Sequence, residues 1–247
     1  MIFRRKPKSG SASPASADDD AMGTVDADAT DDDQADDDLA DAPDDAEDAE
    51  DADPWAELDA SRDWRDDGPF DIDEVELADD EVPRLDLGSL IITPAQGMQL
   101  QIIADPETGQ GMALVAAAGT SAIQVTLYAA PVSPGFATDL RADMVAETEQ
   151  SGGSCEYAEG PFGTELRRVV PATDDAGNSG MAPLRDWYAQ GPRWLLNGRL
   201  MGQAAIDTDG TGEVELLDDF FRNLIVRRGD GAMVPGQVIG LTLPAGS

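Results

Sequence analysis

The stretch Asp207–Phe221, DTDGTGEVELLDDFF, sets oxygen-bearing side chains at the intervals of a calcium loop. Asp207, Asp209 and Thr211 fall at loop positions 1, 3 and 5, Gly212 at 6 and Glu215 at 9, a spacing that can turn several oxygens toward a hard cation. Position 12 is Asp218, one methylene shorter than the glutamate that normally reaches in with both oxygens. The residues before the loop, RWLLNGRLMGQAAI, include glycines that suit a helix interior poorly, so the entering helix of an EF-hand is not expected. No second loop of this kind occurs in the sequence. The stretch is therefore read as a surface turn, its acids lying favourably near the N-terminus of the next helix. Cation binding through Asp207, Asp209, Thr211, Glu215 and Asp218 stands as the alternative; no metal and no cofactor is expected.

Other chemistry is sparse. The chain has no histidine, which removes Ser–His and Cys–His nucleophiles and every imidazole metal ligand. Cys155 therefore lacks an imidazole base and is expected to be a structural thiol. There is no phosphate-binding GxxxxGK[ST] loop, and the glycine pairs GTGEVE and GQGMA fall short of a dinucleotide fingerprint. One constellation remains. Arg167, Arg185 with Trp187, and Arg193 with Arg199 occupy alternating positions of expected strands, and pairing of those strands would assemble a polar sheet face away from the helices. Arginine is suited to carboxylates, so this face is expected to receive the chain's own acidic leader or an acidic partner competing with it.

That expectation rests on how charge is distributed. The formal net charge is −35, yet 31 of 51 acids and 6 of 16 bases lie in residues 1–82, a net of −25. The remainder is a mildly acidic body whose bases are all arginine. Such acidity excludes nonspecific binding to nucleic acid or to anionic membranes, both of which need positive surface. A single cysteine excludes an internal disulfide and fits a reducing compartment. The opening MIFRRKPKSG is followed by SASPASADDD rather than an apolar run, and no stretch is long and apolar enough to span a bilayer, so a cytoplasmic protein is expected.

The elements that position these residues follow from periodicity. Residues 9–53 are nearly all Asp, Ala, Glu, Ser and Pro and are expected to be disordered within a leader of residues 1–82. Trp55, Trp64 and Phe70 punctuate residues 54–77, which read either as a linker or as a segment that docks on a partner or on its own domain. From residue 83 to 247 a single domain is expected. LDLGSLIIT, GMQLQIIAD, GMALVAAAG and SAIQVTLYAAP read as an antiparallel meander. Phe136, Leu140, Met144 and Thr148 then recur every four residues as an amphipathic helix. CEYAEGPFGTELRRVVPA, GMAPLRDWYAQ and RWLLNGRLM are three further strands, the last running through Asn197-Gly198 without a turn, and EVELLDDFFRNL is a second helix. The order predicts an α+β fold: a mainly antiparallel sheet of about six to eight strands with two helices packed on it.

The blocks RLDLGSL, EGPFGTELRRVVP, GPRWLLNGRLMG and LDDFFRNLIVRRG, with GPFDIDE upstream, resemble an actinobacterial family carrying a domain of unknown function, over roughly Gly68 to Pro244. The resemblance implies a cytoplasmic protein of a high-GC Gram-positive cell and brings no catalytic residues with it. The element order is also similar to PsbP/Mog-one-like α+β domains, an analogy of order alone that implies binding or accessory roles. The reading is a non-enzymatic binding or accessory module with an unknown protein partner. The alternatives are a histidine-free, carboxylate- or metal-dependent enzyme and a weak divalent-cation regulator working through residues 207–218.

Overall fold

The computed structural model describes residues 4–5, 53–77, 82–173, 176–210 and 212–242. The disorder expected of residues 9–53 lies almost wholly outside the described residues, as does Thr211. In chain order the elements are β1 (Arg4–Arg5), α1 (Pro54–Ala60), β2 (Phe70–Asp71), β3 (Val75–Glu76), β4 (Leu85–Asp86), β5 (Leu90–Ile92), β6 (Gln99–Ala104), β7 (Gly111–Ala118) and β8 (Ser121–Ala129). There follow α2 (Phe136–Gln150), β9 (Ser154–Gly160), β10 (Gly163–Thr173), β11 (Ser179–Gly191), β12 (Trp194–Gly202), α3 (Glu213–Arg222) and β13 (Ile225–Val226).

The fold is α+β. A seven-stranded antiparallel sheet runs β6-β7-β8-β12-β11-β10-β9, a four-stranded sheet runs β2-β13-β5-β4, and β1 pairs with β3. The period-two pattern of β8 sends Ile123, Val125 and Leu127 to one buried face. On β12, opposite β8, Leu196 and Leu200 share that face and cluster with Val214, Leu217, Phe220 and Phe221 of α3. Burying each of these side chains contributes roughly 1.5–3 kcal/mol. Their neighbours in the alternation, Leu195 on β12 with Tyr188 on β11 and Leu166 on β10, cluster instead with Met144, Leu140 and Val145 of α2. The two helices therefore cover opposite faces of one sheet.

Two glycines explain where α3 can sit. Gly198, inside β12, lies opposite Val125 and Trp187; a Cβ there would come within 2.7 Å of the Phe221 ring. Gly68 has φ +101, and a Cβ would fall 2.0 Å from the carbonyl oxygen of Arg222 at the end of α3.

The structure departs from the expected element list in two places. CEYAEGPFGTELRRVVPA is a hairpin rather than one strand: Gly160 pairs with Gly163 around the turn Pro161-Phe162. That turn drives Phe162 into the core, where its ring centroid lies 5.4 Å from Trp187 and 4.8 Å from Phe221. LDLGSLIIT forms β4 and β5 of the small sheet, since β5 finds its partner in β13 rather than in the meander. Residues 53–77, read from sequence as a linker or as a segment that docks on a partner or on its own domain, fall in the same compact unit as the sheet. No helix among the described residues is long and apolar enough to cross a membrane.

Candidate functional site

Residues 53–77 wrap the body as a belt. The Asp53 side chain caps α1 by accepting from the Trp55 amide at 3.0 Å. Asp59 accepts from the Arg141 guanidinium and, at 2.8 Å, from the amide of Thr164 on β10. The Thr164 hydroxyl donates to the Trp55 carbonyl at 3.2 Å, and the Trp55 ring lies 5.9 Å from Tyr157 on β9. The Trp64 indole donates to the Leu58 carbonyl at 3.0 Å, and the Arg62 guanidinium stacks 3.7 Å above its ring. Arg65 grips both carboxylate oxygens of Glu74, at 3.1 and 3.0 Å. Beyond it, Asp71 accepts from the indole of Trp194 at 2.7 Å, and Asp71 and Glu74 form a reciprocal capping box.

The belt borders two clefts. The larger, about 570 Å³, lies between Trp64, Asp66, Asp67 and Phe70 on the belt and Pro161, Asp219 and Arg222 on the body. The smaller, about 350 Å³, lies between Asp71–Glu74 and three arginines, Arg193, Arg227 and Arg228. Arg193 is the second residue of the turn Pro192-Arg193 that joins β11 to β12, and its backbone is left-handed at φ 61. A turn that begins with proline usually has glycine or asparagine at that place. The Arg193 side chain donates to the Gly229 carbonyl at 3.1 Å and lies 3.9 Å from the fully exposed Asp230. Arg228 donates to main-chain carbonyls, among them Gly231 at 2.7 Å and Arg193 at 3.3 Å. Arg227 pairs with the exposed Asp86 at 2.9 Å.

The five residues singled out from sequence do not share one face. Arg167, Arg185 and Trp187 are on the α3 side of the sheet and converge on one buried carboxylate, Glu165. Glu165 accepts from Arg167 at 2.7 Å, from Arg185 at 2.8 Å and from the Trp187 indole at 3.0 Å. Arg185 also donates to the carbonyls of Ala204 and Asp207 at 3.2 and 2.7 Å, tying the calcium-like loop to the sheet. Arg199 is on the α2 side and donates to the fully buried Asp186 at 3.0 Å, beside Arg168 at 2.8 Å and Asn197 at 3.3 Å. Next to this group the Tyr188 phenol is pushed well above its ordinary pKa, first by burial and then by the Asp186 charge. The expected polar face away from the helices is thus replaced by two ion-pair networks, one beneath each helix. Arg193, in the turn, belongs to neither, and it is the one of the five that lines a cleft.

The acids of the calcium-like loop are spread over separate contacts. The Asp207 carboxylate accepts from Gln203 at 2.9 Å, and Asp218 pairs with Arg222 at 2.8 Å. Glu213 crosses to the β7–β8 turn, where hydrogen bonds from the Ser121 hydroxyl and the Thr120 amide hold its carboxyl below the usual range. Among the described residues no three acidic or cysteine side chains gather closely enough to hold a metal ion. Sequence reasoning missed Arg227 and Arg228, and adjacency alone does not single them out, because Arg167-Arg168 is another such pair and is spent on Glu165 and Asp186. It also missed the Asp71–Trp194 contact, announced only by the block GPFDIDE.

The family model described as a protein of unknown function, DUF3710, matches residues 68–247. No curated protein and no solved structure matches the chain. The match begins at Gly68, the residue packed against the end of α3, and so takes in β2, β3 and the belt side of the smaller cleft. The chain belongs to the DUF3710 family.

Proposed function

We propose that the chain is a cytoplasmic, non-enzymatic binding module of an actinobacterial cell. Its smaller cleft captures an acidic segment of a partner protein, with the chain's own acidic leader as the competing ligand. The observation behind this reading is the difference between Arg193 and the other arginines. Arg167, Arg185 and Arg199 are spent on buried carboxylates, whereas Arg193 sits in an unfavourable backbone conformation with its charge beside carbonyls and an exposed acid. Arg227 and Arg228 add charge to the same cleft. A carboxylate-rich strand laid there exchanges weak surface contacts for charge-assisted hydrogen bonds. Tethering gives the leader a high local concentration even if its intrinsic affinity is low.

The test is fluorescence anisotropy of a labelled peptide of residues 26–53 against the full chain and against a chain lacking residues 9–52. The shortened chain is expected to bind more tightly, both affinities to fall with salt, and Arg193→Glu to abolish binding. Absence of binding at low salt, or binding indifferent to Arg193→Glu, rejects the reading. A second reading, a carboxylate-dependent enzyme, is favoured by one observation. Asp218 is partly buried near the larger cleft, one of its oxygens has no hydrogen-bond partner among the described residues, and burial raises its pKa against the opposing pull of Arg222. Substrate-class screening of wild type and Asp218→Asn would separate the two readings.

A further inference from the structure

We infer that the edge of β3 is a docking strand for a basic, extended segment, and that its resident occupant is the chain's own residues 4–8. The inference goes beyond the acidic-ligand reading and does not depend on it. β1 pairs antiparallel with β3, with Arg4 opposite Glu76 and Arg5 opposite Val75, and β3 has no other strand partner among the described residues. Val75 is buried and anchors the strand to the body, with Phe70, Ile91 and Ile225 as its cluster, while Glu76 is exposed. The docking strand is thus rigid on its inner side and presents an acid outward.

Charge complementarity selects the occupant. Residues 4–8, RRKPK, hold four of the chain's 16 bases and no acid, whereas the segment they meet, DIDEVE from Asp71 to Glu76, holds four acids. Two of those acids are committed inward, Asp71 to Trp194 and Glu74 to Arg65. Asp73 and Glu76 are exposed and remain to meet an incoming cation. Pro7 cannot donate to a sheet ladder, so the pairing is limited to a few residues. A pairing this short is weak on its own and is held by main-chain bonds, opposite charges and the tether. It is therefore exchangeable. A partner presenting a basic strand adds to the same edge by β-augmentation and displaces residues 4–8.

The composition supplies a clean probe, because Lys6 and Lys8 are the only lysines in the chain. A carbodiimide joins a lysine amine to a carboxylate with no spacer, so a lysine cross-link reports where this segment lies. In the full chain, cross-linking followed by peptide mass spectrometry is expected to join Lys6 or Lys8 to Asp73 or Glu76. Glu76→Arg alters only an exposed side chain, removes one acceptor and adds no lysine. It is expected to lower the Asp73 cross-link about fivefold, as an attractive cross-strand pair becomes a repulsive one. Circular dichroism confirms that the variant is folded. Added peptide MIFRRKPK is expected to lower the yield with dose, and the same peptide with both arginines replaced by glutamine is not. Cross-links confined to acids of residues 18–53, or a yield that the arginine peptide leaves unchanged, would overturn the inference. Acidic-peptide binding that Arg193→Glu leaves unchanged, with these cross-links intact, would reject the acidic-ligand reading and leave this inference standing; loss of that binding in Arg193→Glu, with these cross-links absent, would leave only the other.

Discussion

Arg193 can be tested by separating what its side chain does from what its backbone costs. Arg193→Ala and Arg193→Gly remove the same guanidinium, hence the same 3.1 Å bond to Gly229 and the same approach to Asp230. They differ in the backbone at φ 61. A side chain in the left-handed region costs about 1–2 kcal/mol. Glycine gives back about 0.5–1 kcal/mol through the extra freedom of its unfolded chain. The glycine variant should therefore be more stable than the alanine variant by roughly 0.5–1 kcal/mol. For a domain of this size, that places its Tm about 1–4 °C higher. Both variants should bind the acidic peptide about fivefold more weakly than wild type, the worth of one half-exposed charge pair. Differential scanning fluorimetry and anisotropy on the same preparations measure the two quantities. If alanine equals glycine in stability, the turn is not strained. If both keep wild-type affinity, the strain serves no binding and the proposed site is wrong.

Three further outcomes follow from the buried networks. Glu165→Leu leaves the buried Arg185 without its carboxylate and should cost about 3–5 kcal/mol, whereas Glu165→Leu with Arg185→Met should recover most of that loss in a urea titration. A single variant within about 1 kcal/mol of wild type would show that water replaces the ion pair. Asp218 has a folded-state pKa raised above its ordinary 3.8, so it favours the folded state while protonated, and that stability is lost as pH climbs from the unfolded value through the folded one. Wild type should accordingly lose stability relative to Asp218→Asn as pH rises through that window; a pH-independent difference between the two sinks the assignment. Calcium at millimolar excess should leave Tm unchanged, because Asp207, Glu213 and Asp218 are engaged with Gln203, Thr120 and Arg222. A saturable rise in Tm would revive the loop as a metal site.

Much of the fold was legible because side-chain periodicity is local. β8 alternates, α2 repeats every fourth residue at Leu140, Met144 and Thr148, and β12 runs straight through Asn197-Gly198, where the packing of Phe221 explains the glycine. The arginine face was misjudged for a reason just as physical. Alternation says which residues of one strand share a face, but it is silent on what the neighbouring strand places beside them. Glu165 stands close to Arg185 only because Leu166 pairs with Asp186 and Arg167 with Arg185, a register invisible from either segment alone. Parity also fails across a turn. Arg193 shares its odd number with Asn197 and Arg199, yet the hairpin closes at Gly191 and Trp194, which leaves Arg193 outside the alternation. The two-residue turn Pro161-Phe162 was absorbed into a strand because the residues on either side are both strand-forming.

The two proposed contacts are opposite in sign and share one stretch of the belt. β3 pairs with β1 at Arg4 and Arg5, while Asp71–Glu74 form one wall of the arginine cleft. Residues 4–8 and α1 bracket the acidic residues 9–53 in sequence, so on these proposals both ends of that segment are held to the same body. A partner that brings a basic strand to β3 frees one of those ends. The leader then covers the arginine cleft at a lower effective concentration, and an outside acidic segment meets less competition. Linkage requires the reverse as well: an acidic ligand that expels the leader must loosen residues 4–8 by the same factor. The coupling can therefore be read from either side, as carbodiimide cross-links falling when acidic peptide is added, or as acidic-peptide affinity rising when MIFRRKPK is added. Observing one without the other would mean that the two contacts do not communicate through the leader.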